Sequence, residues 1–384
     1  MKEFIKKTFI ISLISFFLIE LTGFTLGFFR IIPNGSPAVM SIFADSKLSY
    51  WHPKNITFKH DYNQCWGPST ISFNNIGSRS TIDVEMLKTK PRIGLLGDSM
   101  IEMIHVNDGE DITSILQEKL PDFEIINFSS RATGLYDHLD VYKNLIKNFD
   151  IDYLVLFPTE NDLHNNFIES NKPNEVRNQP KFYFDELKNE VIKIDRNSLW
   201  FKKYFSNFNK IKRSKPILYL KEYSYSFKIY YQIKIFFYNK KRQSTLTKEQ
   251  LNAKYDKKMS LLINQEKVYK DIMNQFLTEI NKDKDNVKLI TILNLRSYLF
   301  RKEENLTRAH EIKINKFNII KDLWVNYNNA YFAVDEAKEF IKLNKHKMVK
   351  PFIFLGHTCD DHYSKFGAEF MANIVIKQIN SQIK

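Results

Sequence analysis

The chain has 384 residues, enough for one sizeable α/β domain with additional material. Lysine and arginine number 57 against 44 acidic residues, a net charge of +13, with much of the excess in lysine on an isoleucine- and asparagine-rich background. Compositional bias alone produces such an excess; the alternative is an electrostatic role towards anionic lipid or anionic glycan. Two cysteines, Cys65 and Cys359, exclude a disulfide-dense scaffold and allow at most one bridge. No His/Cys/Asp cluster stands at metal-ligand spacing, so neither a metal nor a cofactor is expected.

At the N-terminus Lys2, Lys6 and Lys7 flank an apolar run that starts at Thr8 and continues through Glu20 and Leu21 to Phe29. That length suits a bilayer crossing and exceeds a typical signal-peptide core. The only nearby cleavage candidate, Pro37-Ala38, is poor, so residues 1–30 read as a cytoplasmic stub and uncleaved signal anchor. The lysines favour a cytoplasmic N-terminus with the remainder outside the inner membrane. Glu20 is costly within the span. It either pairs with another helix, Arg30 being too distant, or stands unpartnered in a marginal anchor. Both cysteines then lie in an oxidising compartment, as one disulfide or as two thiols.

Residues 31–90 form a juxtamembrane lead-in, in which residues 73–80 look like a short hairpin-type segment. From 92 to 157 strand-like and helix-like patterns alternate. The first strand, Arg92-Ile93-Gly94-Leu95-Leu96, runs into Gly97-Asp98-Ser99-Met100 and a helical start. A serine on such a strand-to-helix turn exposes its hydroxyl at the carboxyl edge of a sheet, beside free backbone N–H groups. A helix is expected near 112–120. The second strand, 123–128, leads through a polar turn to Gly134, followed by a helix near 138–149. The third, 153–157, ends in Pro158-Thr159-Glu160-Asn161-Asp162. This alternation predicts a parallel, doubly wound α/β sheet with its ligands at the strands' carboxyl ends.

Residues 164–286 break the pattern and read as an insertion. Its middle, 198–241, interleaves aromatics with lysines. Nucleic acid is a poor fit for an exported domain; a surface lying on the anionic membrane, a glycan lid and a helical cap packed on the core remain open. Residues 247–281 are polar and helical in period, with charges expected on a solvated face. Strands are expected again at 287–293, 330–334 and 352–355. Asp360-Asp361-His362 follows, and a helix from Gly367 to Gln378 closes the chain.

Ser99, Gly134, Asn161 and Asp360 with His362 stand in the order of the four blocks of the SGNH (GDSL-type) hydrolases, which residues 91–384 resemble, particularly the membrane-anchored cell-envelope members. The resemblance implies that Ser99 attacks an ester carbonyl, His362 takes its proton and Asp360 orients the imidazole. It also implies an oxyanion hole made by the Ser99 and Gly134 N–H groups and the Asn161 amide. Three departures stand out. Thr159 occupies the usual glycine of the third block, Met100 replaces a common leucine, and Cys359 holds the position where many members place the acid. Asp361 is the weaker candidate acid, since adjacent side chains point apart. Asp98 and Asp162 read as turn-stabilising residues; His164 and His357 are candidates for substrate contact.

These features imply an exported, membrane-anchored serine esterase acting on ester-linked acyl groups of an acylated glycan or lipid-linked substrate. An O-acyltransferase on the same residues is the first alternative. A non-catalytic glycan-binding or assembly protein, kept open by Thr159, and a phospholipid lipase are the others.

Overall fold

The computed structural model describes residues 1–28, 43–45, 48–60, 69–171, 181–194, 224–226, 230, 233, 247–300, 307–328, 330–343 and 362–383. The first element is a long helix, α1 (Lys2–Phe28), whose window Lys6–Thr25 is long and apolar enough to cross a membrane. Phe9, Ile11, Phe17 and Leu21 are each more than half exposed. Glu20 has partners after all. Its carboxylate accepts from Ser224 Oγ at 2.7 Å, Tyr225 N at 2.7 Å and Ser226 N at 3.0 Å. A Cβ on Gly23 would overlap Tyr225, so the missing side chain permits this close crossing, and the Tyr225 ring meets Phe24 edge-on. Apart from residues 224–226, 230 and 233, the basic-aromatic stretch 198–241 lies outside the described residues.

The lead-in forms two antiparallel pairs, β1 (Phe43–Asp45) with β2 (Ser49–Trp51) and β3 (Ile56–His60) with β4 (Ser69–Phe73). The segment after β4 turns back as expected: Phe73 bridges Arg79, Gly77 adopts φ +81°, and Trp51 Nε1 donates to Ile76 O at 2.8 Å. The positive φ and the crowding of a Cβ by Trp51 and His52 both require glycine there.

Next come β5 (Arg92–Leu96), the one-turn α2 (Ser99–Glu102), α3 (Ile112–Lys119), β6 (Glu124–Asn127), α4 (Leu135–Asn144), β7 (Tyr153–Leu156) and the one-turn α5 (Asp162–Asn165). A hairpin of β8 (Lys181–Asp185) and β9 (Glu190–Ile194) follows, then α6 (Lys248–Ser260), α7 (Leu262–Asn281) and β10 (Lys288–Thr291). The chain closes with α8 (Arg308–Asn328), α9 (Val334–Leu343) and α10 (Lys365–Ile383).

Strands β10, β7, β5 and β6 form one parallel sheet in that spatial order. Their aliphatic side chains divide between two cores, as the strand period of two requires. Ile93, Leu95, Ile125 and Val155 face a core shared with α3 and α10; Leu96, Ile126, Leu154 and Leu156 face one shared with α4 and α7. Helices therefore cover both faces, and the expected doubly wound α/β fold is observed. The second and third chain-order strands lie on either side of the first, so the winding reverses between β5 and β7. Their carboxyl ends make the crevice in which such sheets bind ligands.

One expectation is narrowed and another revised. Within the segment read as inserted, α7 is the crossover from β7 to β10. It buries Val268, Tyr269, Ile272, Met273, Phe276 and Ile280 at three- and four-residue spacing, so the solvated face is confined to α6 and the outer side of α7. At 330–334 there is no strand: Tyr331 makes a single bridge to Ile292 and α9 begins at Val334. The strand expected at 352–355 lies outside the described residues.

Candidate active site

The turn after β5 is built to present Ser99. A Cβ on Gly97 would fall 2.9 Å from Ile101 Cγ1 and 3.3 Å from Phe157 Cβ, so only glycine lets α2 start this close to the sheet. Asp98 caps α2, its carboxylate accepting from Met100 N at 2.9 Å, the turn-stabilising role read from sequence. The Ser99 N–H has no acceptor among the described residues.

His362 approaches from the other end of the chain. Ser364 begins α10, its carbonyl accepting from Ala368 N at 2.9 Å. The buried Tyr363 hydroxyl is wedged into the loop after β10, accepting from Leu295 N at 2.7 Å and donating to Asn294 Oδ1 at 3.3 Å. The Tyr363 carbonyl is bonded by His105, whose ring lies 5.1 Å from that of His362. So anchored, His362 Nε2 stands 2.8 Å from Ser99 Oγ, across 263 residues of sequence. Asp360, Asp361, His357, Cys359 and Cys65 lie outside the described residues, and with them the expected orienting acid and the question of one disulfide or two thiols.

Gly134 and Asn161 follow β6 and β7 at the same sheet edge, where Ser130 N donates to Gly97 O at 3.2 Å and ties the second loop to the serine turn. Gly134 opens α4 in close quarters: a Cβ would clash with Asn166 and fall 2.9 Å from Asn165 Cβ. Its N–H donates to Asp137 Oδ2 at 2.9 Å, so this expected oxyanion donor is engaged within the helix cap. The half-buried Asn161 side-chain amide makes no hydrogen bond to any described residue. Asp162 accepts from Thr159 N at 3.1 Å, again the turn role expected.

Beneath these loops lies a buried ion cluster that the sequence reading missed. Arg296, from the loop after β10, donates through Nε to Glu160 Oε2 at 2.9 Å and through Nη2 to Thr159 Oγ1 at 3.1 Å, with Asp98 Oδ2 at 4.0 Å. The Thr159 hydroxyl also donates to Glu160 Oε2 at 2.8 Å. The departure from glycine at 159 thus has a physical reason, since the side chain satisfies a buried guanidinium. Burial raises the carboxyl pKa values of Asp98 and Asp162, with Arg296 opposing it at both. In sequence the one hint of it is an arginine shortly after a parallel strand, here β10 at the edge of the described sheet.

A second buried pair secures the other end of α2. Glu102 Oε1 lies 3.1 Å from His52 Nε2, and Glu102 Oε2 accepts from Arg131 N at 2.6 Å. Burial pushes the Glu102 carboxyl up, but the charge of Arg131 and the bond to His52 outweigh it and leave the pKa below the ordinary value. The lead-in is thereby fastened to the serine helix and to the loop after β6.

No family model matches the sequence, and no curated protein matches it. Among solved structures the chain is similar to the acetyl xylan esterase AlAXEase (14% identity, TM-score 0.37, covering 75% of this chain and 99% of that one). It is also similar to a lipase/acylhydrolase from Enterococcus faecalis (12%, 0.37, 76% and 96%) and to Axe2, an acetylxylan esterase from Geobacillus stearothermophilus (10%, 0.35, 76% and 96%). These likenesses are low in overall superposition, and the fold is established by strand order and connections. The chain has a doubly wound α/β fold, with Ser99 at the switch point of its sheet, Gly134 and Asn161 at the same edge and His362 brought to Ser99.

Proposed function

We propose that the chain is a serine enzyme that cleaves ester-linked acyl groups through an acyl-enzyme. The Ser99–His362 contact of 2.8 Å at the sheet's switch point is the observation that carries this reading. Ser99 Oγ attacks the ester carbonyl carbon as its proton passes to His362 Nε2. The Ser99 N–H and the Asn161 amide, both uncommitted among the described residues, are the donors for the oxyanion; Gly134 joins them if Asp137 releases its N–H. Collapse breaks the bond to the alcohol, which leaves with the proton from His362, and Asp360 holds the imidazole in the productive tautomer. Water then regenerates Ser99 as an esterase, or a sugar hydroxyl accepts the acyl group as a transferase.

The exposed apolar helix α1, with Lys2, Lys6 and Lys7 in its first two turns, supports a single-pass anchor with the catalytic domain on the extracytoplasmic side. An acylated envelope glycan or lipid-linked glycan is the substrate that fits such a placement. A non-catalytic binding role on the same fold is favoured by one feature, the engagement of Gly134 N–H by Asp137.

The test is acetate release from 4-nitrophenyl acetate by the full-length protein in detergent. Turnover that falls by about 10⁴-fold or more in Ser99→Ala and in His362→Ala supports the reading. Turnover that survives either change, or a folded parent with none, overturns it.

A further inference from the structure

Next to Asn161 the site carries positive charge that the acyl-transfer chemistry does not use. His164 follows Asn161 by three residues on the single turn α5, its N–H bonded to the Asn161 carbonyl at 3.0 Å. Lys316 Nζ, reaching in from α8, stands 3.2 Å from His164 Nδ1. Lys181 of β8 donates to the Asn165 carbonyl one residue further on, and Lys258 of α6 is close enough to act on both His164 and Lys316. Three elements thus converge on the turn that follows the third motif, each bringing a lysine.

Three acids among the described residues have partners of their own. Glu160, the carboxylate whose field reaches Lys316, is engaged by Arg296 and Thr159. Glu169 pairs with Lys257 at 2.7 Å, and Asp256 pairs with Arg308. Within the cluster, burial and neighbouring positive charge both oppose protonation. Burial first, and Lys258 second, pull the Lys316 ammonium down to about 8. Protein packed around the His164 ring, reinforced by the fields of Lys316, Lys181, Lys258 and Arg296, holds its imidazole neutral even though part of the residue reaches solvent. A neutral ring whose Nδ1 accepts from Lys316 carries its proton on Nε2 and offers a donor there. The Lys316 ammonium beside a neutral imidazole donor is a good arrangement for an oxyanion.

We infer that His164 and Lys316, supported by Lys181 and Lys258, form a subsite for an anionic group, a carboxylate or a phosphodiester, carried by the acylated sugar itself. This deepens the acyl-ester reading and rests on it. The subsite makes the enzyme's preferred donor an acidic acylated glycan, and the anion fixes the sugar on the Asn161 side of the ester.

The test separates binding from turnover. Full-length Ser99→Ala protein in detergent, which turns over no donor, is titrated calorimetrically with an O-acetylated methyl glucoside, its glucuronate counterpart and its phosphodiester counterpart. At least one charged donor should bind about tenfold tighter than the neutral one, with the advantage shrinking as salt is added. The charged arm that shows the advantage identifies carboxylate or phosphodiester. Lys316→Gln should reduce the advantage to about threefold or less, and Lys316→Arg should keep most of it; His164→Gln is the second variant should Lys316→Gln misfold. Equal binding of all three donors, or an advantage that survives both Lys316→Gln and His164→Gln, overturns the inference. Charge preference in a parent that lacks Ser99-dependent esterase activity would retain the anion site and remove the acyl-ester reading. Esterase activity without charge preference would do the reverse.

Discussion

Replacing Arg296 with leucine removes a cation that the buried carboxylates under the serine turn share. Arg296 and its neighbours Asp98 and Glu160 have side chains no more than 4% exposed. The guanidinium loses a 2.9 Å bond to Glu160, a 3.1 Å bond to Thr159 and a 4.0 Å approach to Asp98. Breaking a buried ion pair by deleting one partner costs about 3–5 kcal/mol, because the other charge remains without compensation. For a domain of this size that corresponds to a fall in melting temperature of about 6–20 °C. The pH dependence has a definite sign. Asp98 and Asp162 already have raised pKa values in the folded state, so the stability they contribute is present at low pH and lost as pH rises through those values. Without the opposing field of Arg296 their folded pKa values rise further, so the deficit is greatest at neutral pH and narrows towards the ordinary aspartate value of 3.8. Thermal unfolding of the full-length protein in detergent, at several pH values, measures it. A variant melting within about 2 °C of the parent at neutral pH, or a deficit that widens on acidification, would refute the reasoning.

Gly134→Ala drives a methyl group into Asn166, whose Oδ1 accepts from Tyr136 N at 3.0 Å and whose amide donates to Asp137 at 3.0 Å. Esterase activity should fall at least tenfold with about 1–3 kcal/mol of destabilisation; parent-like kinetics would show that this loop tolerates displacement. Glu102→Gln should cost about 3–5 kcal/mol at neutral pH through loss of the buried partner of His52 and Arg131. Since the folded pKa of Glu102 is lowered, its contribution is present above 4.5 and lost as pH falls through the folded value. Unfolding curves of parent and variant should therefore converge on acidification, and a constant gap would contradict the assignment.

The elements that carry the site were legible because their signals are local. Arg92 to Leu96 is an uninterrupted buried run, and the Gly-Asp-Ser that follows can start a helix only by turning sharply, as it does. His362 was legible from its position ahead of an amphipathic helix, although its approach to Ser99 depends on how β10 adds to β7. The Arg296 cluster was not legible, because its members are distributed over three loops and each alone has the sequence appearance of a surface charge. The partners of Glu20 were hidden for the same reason, lying 204 to 206 residues away. Residues 262–281 were read as a helix with a solvated charged face, but the exposed Lys267, Lys270 and Gln275 dilute in sequence the apolar stripe that tertiary packing uses on the other face. The strand expected at 330–334 shrank to one bridge, since the acidic Asp335-Glu336 pair two residues on favours a helix start at Val334.

The central claim is that Ser99 is a nucleophile activated by His362. Full-length protein in detergent, treated with a fluorophosphonate probe and mapped by peptide mass spectrometry, tests it most directly. The account predicts one adduct, on Ser99, that is absent in Ser99→Ala and strongly diminished in His362→Ala while both variants melt like the parent. A folded parent that takes up no probe, or an adduct that persists after Ser99→Ala, would contradict it.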